Sequence, residues 1–341
     1  MPPLLPEGTD CSVPLTNAPV APNKTMRFPT LLVAGSLLLA GILLSSAAEA
    51  AKKVLFFSKS SGFEHSVIKR NAGQPAYAEQ VLKELGAKHG FEFTFSKDGS
   101  LFNPTYLAQF DAYFFYTTGD LTETGTDKNP PLSPEGKQAF LDAIKGGKGF
   151  VGTHSATDTF HSPGNQANGE ARFSGDAVVD PYITMIGGEF IKHGAQQTTK
   201  LVNHDPAFPG AKSVPAAFGP QEEWYSLKNF SPDLHVILTQ DTAGIKGNEY
   251  ARPPYPSTWA RVHGNGRVFY TNMGHREDVW TNPVFQDVLI GGLNWATRRV
   301  DADVTPNLAK AAPDAAKLPK FVAPQPKAPK KKDAKKAVPA L

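Results

Sequence analysis

The residues with the clearest capacity for chemistry lie at Gly152-Thr153-His154-Ser155-Ala156, where small residues flank a histidine in the spacing Gly-x-His-x-Ala. The short apolar run ending at Val151 breaks at Gly152 into small polar residues as far as Asp158, the mark of a strand entering a tight turn. This spacing has the shape of a nucleophile elbow, in which one side chain is forced to the tip of a strained strand-to-helix turn. Here the tip is an imidazole. It can serve as base, acid or metal ligand near neutral pH and is a poor replacement for a Ser or Cys nucleophile. The bland alternative is a loop histidine held by backbone hydrogen bonds, but a position at a strand's carboxyl end, where open α/β sheets carry out their chemistry, favours function.

Three further histidines fall where strands or turns end. His65 follows the first strand, His193 follows the Gly187-Gly188 turn, and His275 closes Asn272-Met273-Gly274-His275 after the last long strand. The edge of a sheet can gather such residues without any closeness in sequence, so the lack of a compact ligand motif does not count against a metal. His89, His204, His235 and His263 read as surface or loop residues, and His161 is open.

These side chains need elements to carry them. Lys52–Ser58, Phe91–Phe95, Asp111–Tyr116 and Phe150–Val151 read as strands. Helical spacing between them runs over 71–89, more briefly over 106–110, and over 133–144. This β-α-β-α-β-α-β alternation predicts a doubly wound, mostly parallel α/β sheet. Residues 159–176, rich in Gly, Asn and Ser, read as a long loop beside a strand end. Strand-like runs follow near Thr198–Val202, Trp224–Leu227 and Val236–Thr239. Trp259–Val262 and Arg267–Thr271 flank a hairpin turn, and Pro283–Ala296 is a final helix with Phe285, Val288, Leu289 and Trp295 at core spacing.

The ends of the chain differ from this body. Arg27, the apolar run Leu31–Leu44 and Ala48-Glu49-Ala50 form a secretory signal over 26–50, with Met26 a plausible start and cleavage expected after Ala50; an uncleaved anchor is the alternative. Residues 1–50 are therefore a leader, and the protein is expected in the periplasm or outside the cell. The sole cysteine, Cys11, is lost with the leader, which removes a thiol nucleophile, a Cys-ligated zinc and any disulfide. Residues 51–304 are long enough for one large domain. Pro306–Leu341 sets nine Lys against Asp314 and Asp333 for a net +7, the leader carries −1, and with +3 overall the body stands at −3. A Lys/Ala/Pro tract over 305–341 is expected to be disordered, touching an anionic envelope if anything. The body lacks the basic stripe of a nucleic-acid binder.

Five blocks then resemble, in order, those of the ThuA-like (trehalose utilisation) family: Gly62-Phe63-Glu64-His65, Gly149 to Asp158, Gly188-Glu189-Phe190-Ile191-Lys192-His193, Glu222-Glu223-Trp224-Tyr225, and Gly266 to His275. The resemblance covers Lys53–Ala296. It implies a flavodoxin-like sheet of the class I glutamine amidotransferase-like type, and a link to sugar catabolism through 3-keto derivatives of disaccharides and glycosides. The family usually has Arg at Glu64 and Asp at Glu222. At the elbow, amidotransferases have Cys where this chain has His154, so thiolate hydrolysis of glutamine is ruled out.

The expectation is therefore an exported enzyme, a hydrolase, lyase or isomerase, acting on a keto-sugar, disaccharide or glycoside. His154, His193 and His275 would hold a divalent ion, zinc or similar, or share proton transfer, with His65 or Glu223 joining them. Glu223 would be base, ligand or hydroxyl acceptor, and Asp158 would orient His154. Trp224, Tyr225 and Trp280 could stack on a sugar face, and Arg276 could bind hydroxyls. The plainer alternatives are a strand-edge charge for Glu223, a helix cap for Asp158, core packing for the aromatics and a solvated Arg276. Two rival readings are a non-catalytic sugar-binding or scaffold protein of the envelope and a metal-free hydrolase working through Asp158 and Glu223. The oligomeric state is open.

Overall fold

A computed structural model describes residues 50–166 and 169–323. The leader, with its signal sequence and Cys11, and the last part of the Lys-rich tract lie outside the described residues. Among the described residues no helix is long and apolar enough to cross a membrane.

The strands are β1 (Lys52–Phe57), β2 (Phe91–Ser96), β3 (Ala112–Phe115), β4 (Gly149–Thr153), β5 (Glu189–His193), β6 (Gln197–Thr198), β7 (Leu201–Asn203), β8 (Gln221–Glu222), β9 (Tyr225–Lys228), β10 (His235–Gln240), β11 (Tyr255–His263) and β12 (Gly266–Thr271). Eight of them form one sheet in the order β2-β1-β3-β4-β12-β11-β10-β7. The pairs from β2 to β12 are parallel, and β11, β10 and β7 add antiparallel strands. The expected doubly wound sheet is thus present, with an antiparallel wing. The strands β5 and β9 pair apart from it, as do β6 and β8.

Central strands read as unbroken apolar runs because both their faces are covered. Along β1, Val54 and Phe56 enter one core with Val81, Leu82 and Leu85 of the helix Tyr77–His89 and with Leu289, Leu293 and Trp295 of the helix Pro283–Ala296. The alternate residues Leu55 and Phe57 enter a second core with Phe140, Leu141 and Ile144 of the helix Pro134–Lys145 and with Ile183 and Ile186 of the helix Pro181–Ile186. This two-residue alternation between faces is the strand period itself. Caps fix the helix starts: Ser133 accepts from Gly136 N, and Asn282 accepts from Val284 N and Phe285 N, each followed by Pro at the first turn. The last helix packs close because residue 149 has no side chain. A Cβ there would meet the Ala296 carbonyl oxygen at 2.5 Å.

The described part of the tract, from residue 306 to 323, is packed on the domain, unlike the disorder expected of its composition. Asn307 imitates a strand partner, its Oδ1 accepting from Val236 N at 2.6 Å and its Nδ2 donating to Val236 O at 3.0 Å. Arg252 Nη2 donates to Ala315 O at 2.5 Å, and Ala312 and Ala315 are buried against the second core. Alanines are small enough to seat a segment in a shallow groove, which composition alone does not reveal. His235, expected at the surface, is also buried, with its Nδ1 on Thr305 O and its Nε2 on Asp205.

Candidate functional site

The parallel strands β1, β3, β4 and β12 lie side by side and present their carboxyl ends to one opening. The chain after β4 enters a one-turn 3-10 helix at His154, and this residue has φ +43°, in the left-handed region. Only a non-glycine residue held by its surroundings stays there, so the elbow expected from the spacing is real and strained. Gly152 permits it, since a Cβ at that position would meet Ala156 Cβ at 3.0 Å and Ile186 Cδ1 at 3.2 Å. His154 is fully buried.

His275 arrives beside it after β12, the neighbour of β4. His154 Nε2 lies 3.2 Å from His275 Nδ1. His65 comes from the loop after β1, with ring centroids 4.9 Å from His154 and 5.2 Å from His275. Glu223 reaches in from the segment between β8 and β9, its Oε2 at 3.3 Å from His275 Nδ1 and 3.6 Å from His154 Nε2. One ligand atom from each of His65, His154, Glu223 and His275 can be chosen so that all lie within 4.8 Å of one another.

This corrects the ligand set drawn from sequence. His193 stands outside the close group, its side chain 42% exposed, with Nδ1 3.2 Å from Glu223 Oε1. Asp158 does not orient His154. It pairs with His161 at 2.8 Å, and His161 also faces the buried Glu189. The His154 ring is oriented instead by Asn272, whose carbonyl oxygen lies 3.4 Å from Nδ1. A carbonyl only accepts, so the proton sits on Nδ1 and the Nε2 lone pair faces the group.

The aromatic expectations divide. Trp224 is fully buried, with Nε1 donating to Gln197 O, and Trp280 is fully buried, with Nε1 on Gly274 O, so both are core. Tyr225 is buried but lies within the site, its ring 4.2 Å from that of His154 and its hydroxyl 3.4 Å from His65 Nε2. Arg276 is held by Asp278 and by Gln196 Oε1, and Gln196 Nε2 meets His275 Nε2 at 2.9 Å.

Several contributors were not legible. Glu222, fully buried, accepts from Gly274 N at 2.6 Å, His275 N at 3.0 Å and Glu223 N at 3.0 Å, and so fastens the loop that carries His275. Tyr116, just after β3, sits between His65 and His154 with its hydroxyl buried and without a partner among the described residues. Adjacent acidic residues and an Asn after the last strand were the available signals, and neither specifies a hydrogen-bond direction.

Burial sets the electrostatics. It lowers the His154 pKa to about 4 despite the nearby Glu223 carboxylate, and it lowers His65 well below its usual value, helped by the neighbouring His154 and His275. Burial pushes Glu223 up, but the neighbouring His154 and His275 imidazoles outweigh it and hold the carboxyl well below its usual range. Burial raises Glu222 to about 7 against its backbone N–H donors. At neutral pH two of the imidazoles are thus neutral and Glu223 is charged, the protonation pattern that a cation requires of its ligands.

A doubly wound sheet whose parallel strand ends gather three imidazoles and a carboxylate defines an α/β protein with a candidate metal centre in place of an elbow thiol. Residues 53–296 match the family model described as "ThuA: Trehalose utilisation", and the chain belongs to that family. Among solved structures it is similar to a ThuA-like protein from Bacteroides uniformis (21% identity, TM-score 0.53, covering 74% of this chain and 94% of that one). It is also similar to one from Parabacteroides merdae (17% identity, TM-score 0.50, covering 80% and 98%). At these identities the likeness shows the fold. No curated protein matches the chain.

Proposed function

We propose that this ThuA-family protein holds one divalent cation at His65, His154, His275 and Glu223, and that the site performs acid–base chemistry on a keto-sugar, disaccharide or glycoside outside the cytoplasm. The observation that carries the proposal is the convergence of these four side chains to within 4.8 Å. Three imidazoles with one carboxylate suit zinc or a similar ion. The chain's own features fit such an ion: His154 presents a lone pair at Nε2, and His65 Nδ1 is buried without a partner among the described residues. Bound there, the cation would polarise a substrate carbonyl.

The remaining roles follow from the protein's residues. A keto-sugar has acidic protons next to its carbonyl, so its elimination, hydration or isomerisation needs a base and an acid. The Glu223 carboxylate is charged and hydrogen-bonded on the inner side to His275. On the outer side it meets the half-exposed His193, which can exchange a proton between Glu223 and solvent. Tyr225 and Tyr116 wall the site and keep it poor in water. The family's link to trehalose utilisation supports a carbohydrate substrate, and the apolar leader supports export.

The test is the metal content of the purified protein by mass spectrometry, followed by assays on 3-keto glycosides and mapping of the mature N-terminus. Near-stoichiometric metal that is lost in His275→Ala, with turnover that follows the metal, is the expected result. A folded parent that takes up no metal from a supplemented medium overturns the proposal.

A further inference from the structure

Phe63 is 69% exposed, the only strongly exposed aromatic ring among the described residues. It stands at the mouth of the candidate site, its ring centroid 5.0 Å from that of His65 and nearly perpendicular to it. Leaving a phenyl ring in water forgoes the gain of burying it, so an exposed ring beside a chemical centre calls for a reason.

The ring is presented by a fixed loop. Ser61 N and Gly62 N both donate to Thr118 O, at 2.8 and 3.1 Å, and Thr118 Oγ1 donates back to Phe63 O at 2.8 Å. Thr126 Oγ1 donates to Gly62 O. One step earlier, the buried Lys59 ammonium reaches Thr124 O at 2.7 Å, Asn129 O at 2.8 Å and Asp127 at 3.3 Å, while Asp127 Oδ2 accepts from Ser60 N at 2.6 Å. A flat apolar surface is therefore held in place against His65. Polar groups border the same imidazole: His275, whose Nε2 in turn meets Gln196.

An exposed apolar ring and hydrogen-bonding groups thus border the same imidazole, a combination that matches a pyranose with its C–H face and its rim of hydroxyls. The cations flanking it are already engaged, Arg276 by Asp278 and Gln196, and Lys97 by Glu64 and Ser58 O. A phosphate or uronate would have to compete for them. We infer that Phe63 contacts substrate as the stacking platform for a neutral pyranose ring, holding it against the His65, His154, His275 and Glu223 group. The inference rests on the carbohydrate reading above and names the ring, its charge and the residue that selects it.

The experiment titrates the purified protein, Phe63→Ala and Phe63→Trp with trehalose, its 3-keto derivative and glucose 6-phosphate by calorimetry, with metal content measured in each. The ring is solvent-exposed, so its removal leaves the fold intact. Phe63→Ala is expected to weaken binding of the neutral sugars roughly 3- to 10-fold, as KM and not kcat where turnover is seen, with metal content unchanged. Phe63→Trp is expected to restore binding, and glucose 6-phosphate to bind no better than the neutral sugars. Equal affinity in the parent and Phe63→Ala, or preferred binding of the phosphate, overturns the inference while leaving the carbohydrate reading in place. A parent that binds no sugar in the panel overturns both together.

Discussion

The carboxylate of Glu222 accepts the backbone N–H of His275 at 3.0 Å, so the loop that carries one candidate ligand is fastened by the residue next to another. Burial raises this carboxyl to about 7, above the 4.5 of an ordinary Glu. Between those values the folded protein binds more protons than the unfolded chain. The stability contributed by Glu222 is therefore complete below about pH 4.5 and lost as pH rises through about 7, by up to roughly 3 kcal/mol. Glu222→Gln does not titrate; its carbonyl keeps both loop N–H groups, but its amide faces Glu223 N–H. With chelator present, it should be less stable than the parent by about 1–2 kcal/mol at pH 5, and because the parent loses more than that by pH 8 the order should reverse there. Parallel denaturant curves at the two pH values check this, and a gap that widens with pH counts against it.

The metal assignment separates His193 from the other histidines. His65→Ala, His154→Ala, His275→Ala and Glu223→Gln each remove a donor from the close group and should lose most of the bound metal. His193→Ala removes a partner of Glu223 only, and should retain metal while activity falls. Second-layer changes of this kind cost about 10- to 100-fold. Metal analysis of the five variants beside their activities is the check. Loss in His193→Ala equal to that in His275→Ala would place His193 among the ligands.

The contrast between these histidines marks what was legible in the sequence. The β-α-β order was legible because central parallel strands are apolar on both faces, and the helix Pro283–Ala296 because Phe285, Val288, Leu289 and Trp295 share one stripe. His65, His154 and His275 could be placed at strand ends for the same reason. Which of them converge depends on strand order: β12 comes last in sequence yet lies beside β4, and no local pattern records that adjacency. Asp158 was misassigned for a different reason. The 3-10 helix His154–Asp158 carries it toward His161, three residues further on, a local pairing that its residue type alone does not specify. Trp224 sits next to Glu223 in sequence yet is fully buried in the core; Trp224→Ala should cost about 3–5 kcal/mol of stability.

Backbone strain at the elbow predicts an ordering of variants. His154 has φ +43°, where a Cβ is unfavourable and glycine is not. His154→Gly and His154→Ala lose the same imidazole, but only the first relieves the backbone. The glycine variant should be the more stable by about 1 kcal/mol, a shift of roughly 2 °C in thermal midpoint for a domain of this size. His154→Asn should fall between them, since Asn tolerates the left-handed region. Thermal melts of the three in chelator test the order. Equal midpoints for Gly and Ala would mean that the turn relaxes once the ring is gone.

A final prediction concerns how His275 is prepared for a cation. Gln196 Oε1 accepts from Arg276 Nη1 at 2.8 Å, so its amide Nε2 is the atom that meets His275 Nε2 at 2.9 Å. An amide nitrogen only donates, which places the His275 proton on Nδ1, facing Glu223 Oε2 at 3.3 Å. Coordination through Nδ1 would require the other tautomer, with the proton on Nε2 and Gln196 turned over to accept it, a shift that costs affinity but releases no net proton. Gln196→Glu supplies a carboxylate that accepts from Nε2–H, fixing the ligand tautomer in advance while keeping the Arg276 contact. That variant should bind zinc about 10- to 100-fold more tightly at pH 8, where an ordinary imidazole is neutral. Competition titrations against a chromophoric chelator at pH 8 measure this. Weaker binding in Gln196→Glu would show that His275 does not ligate through Nδ1.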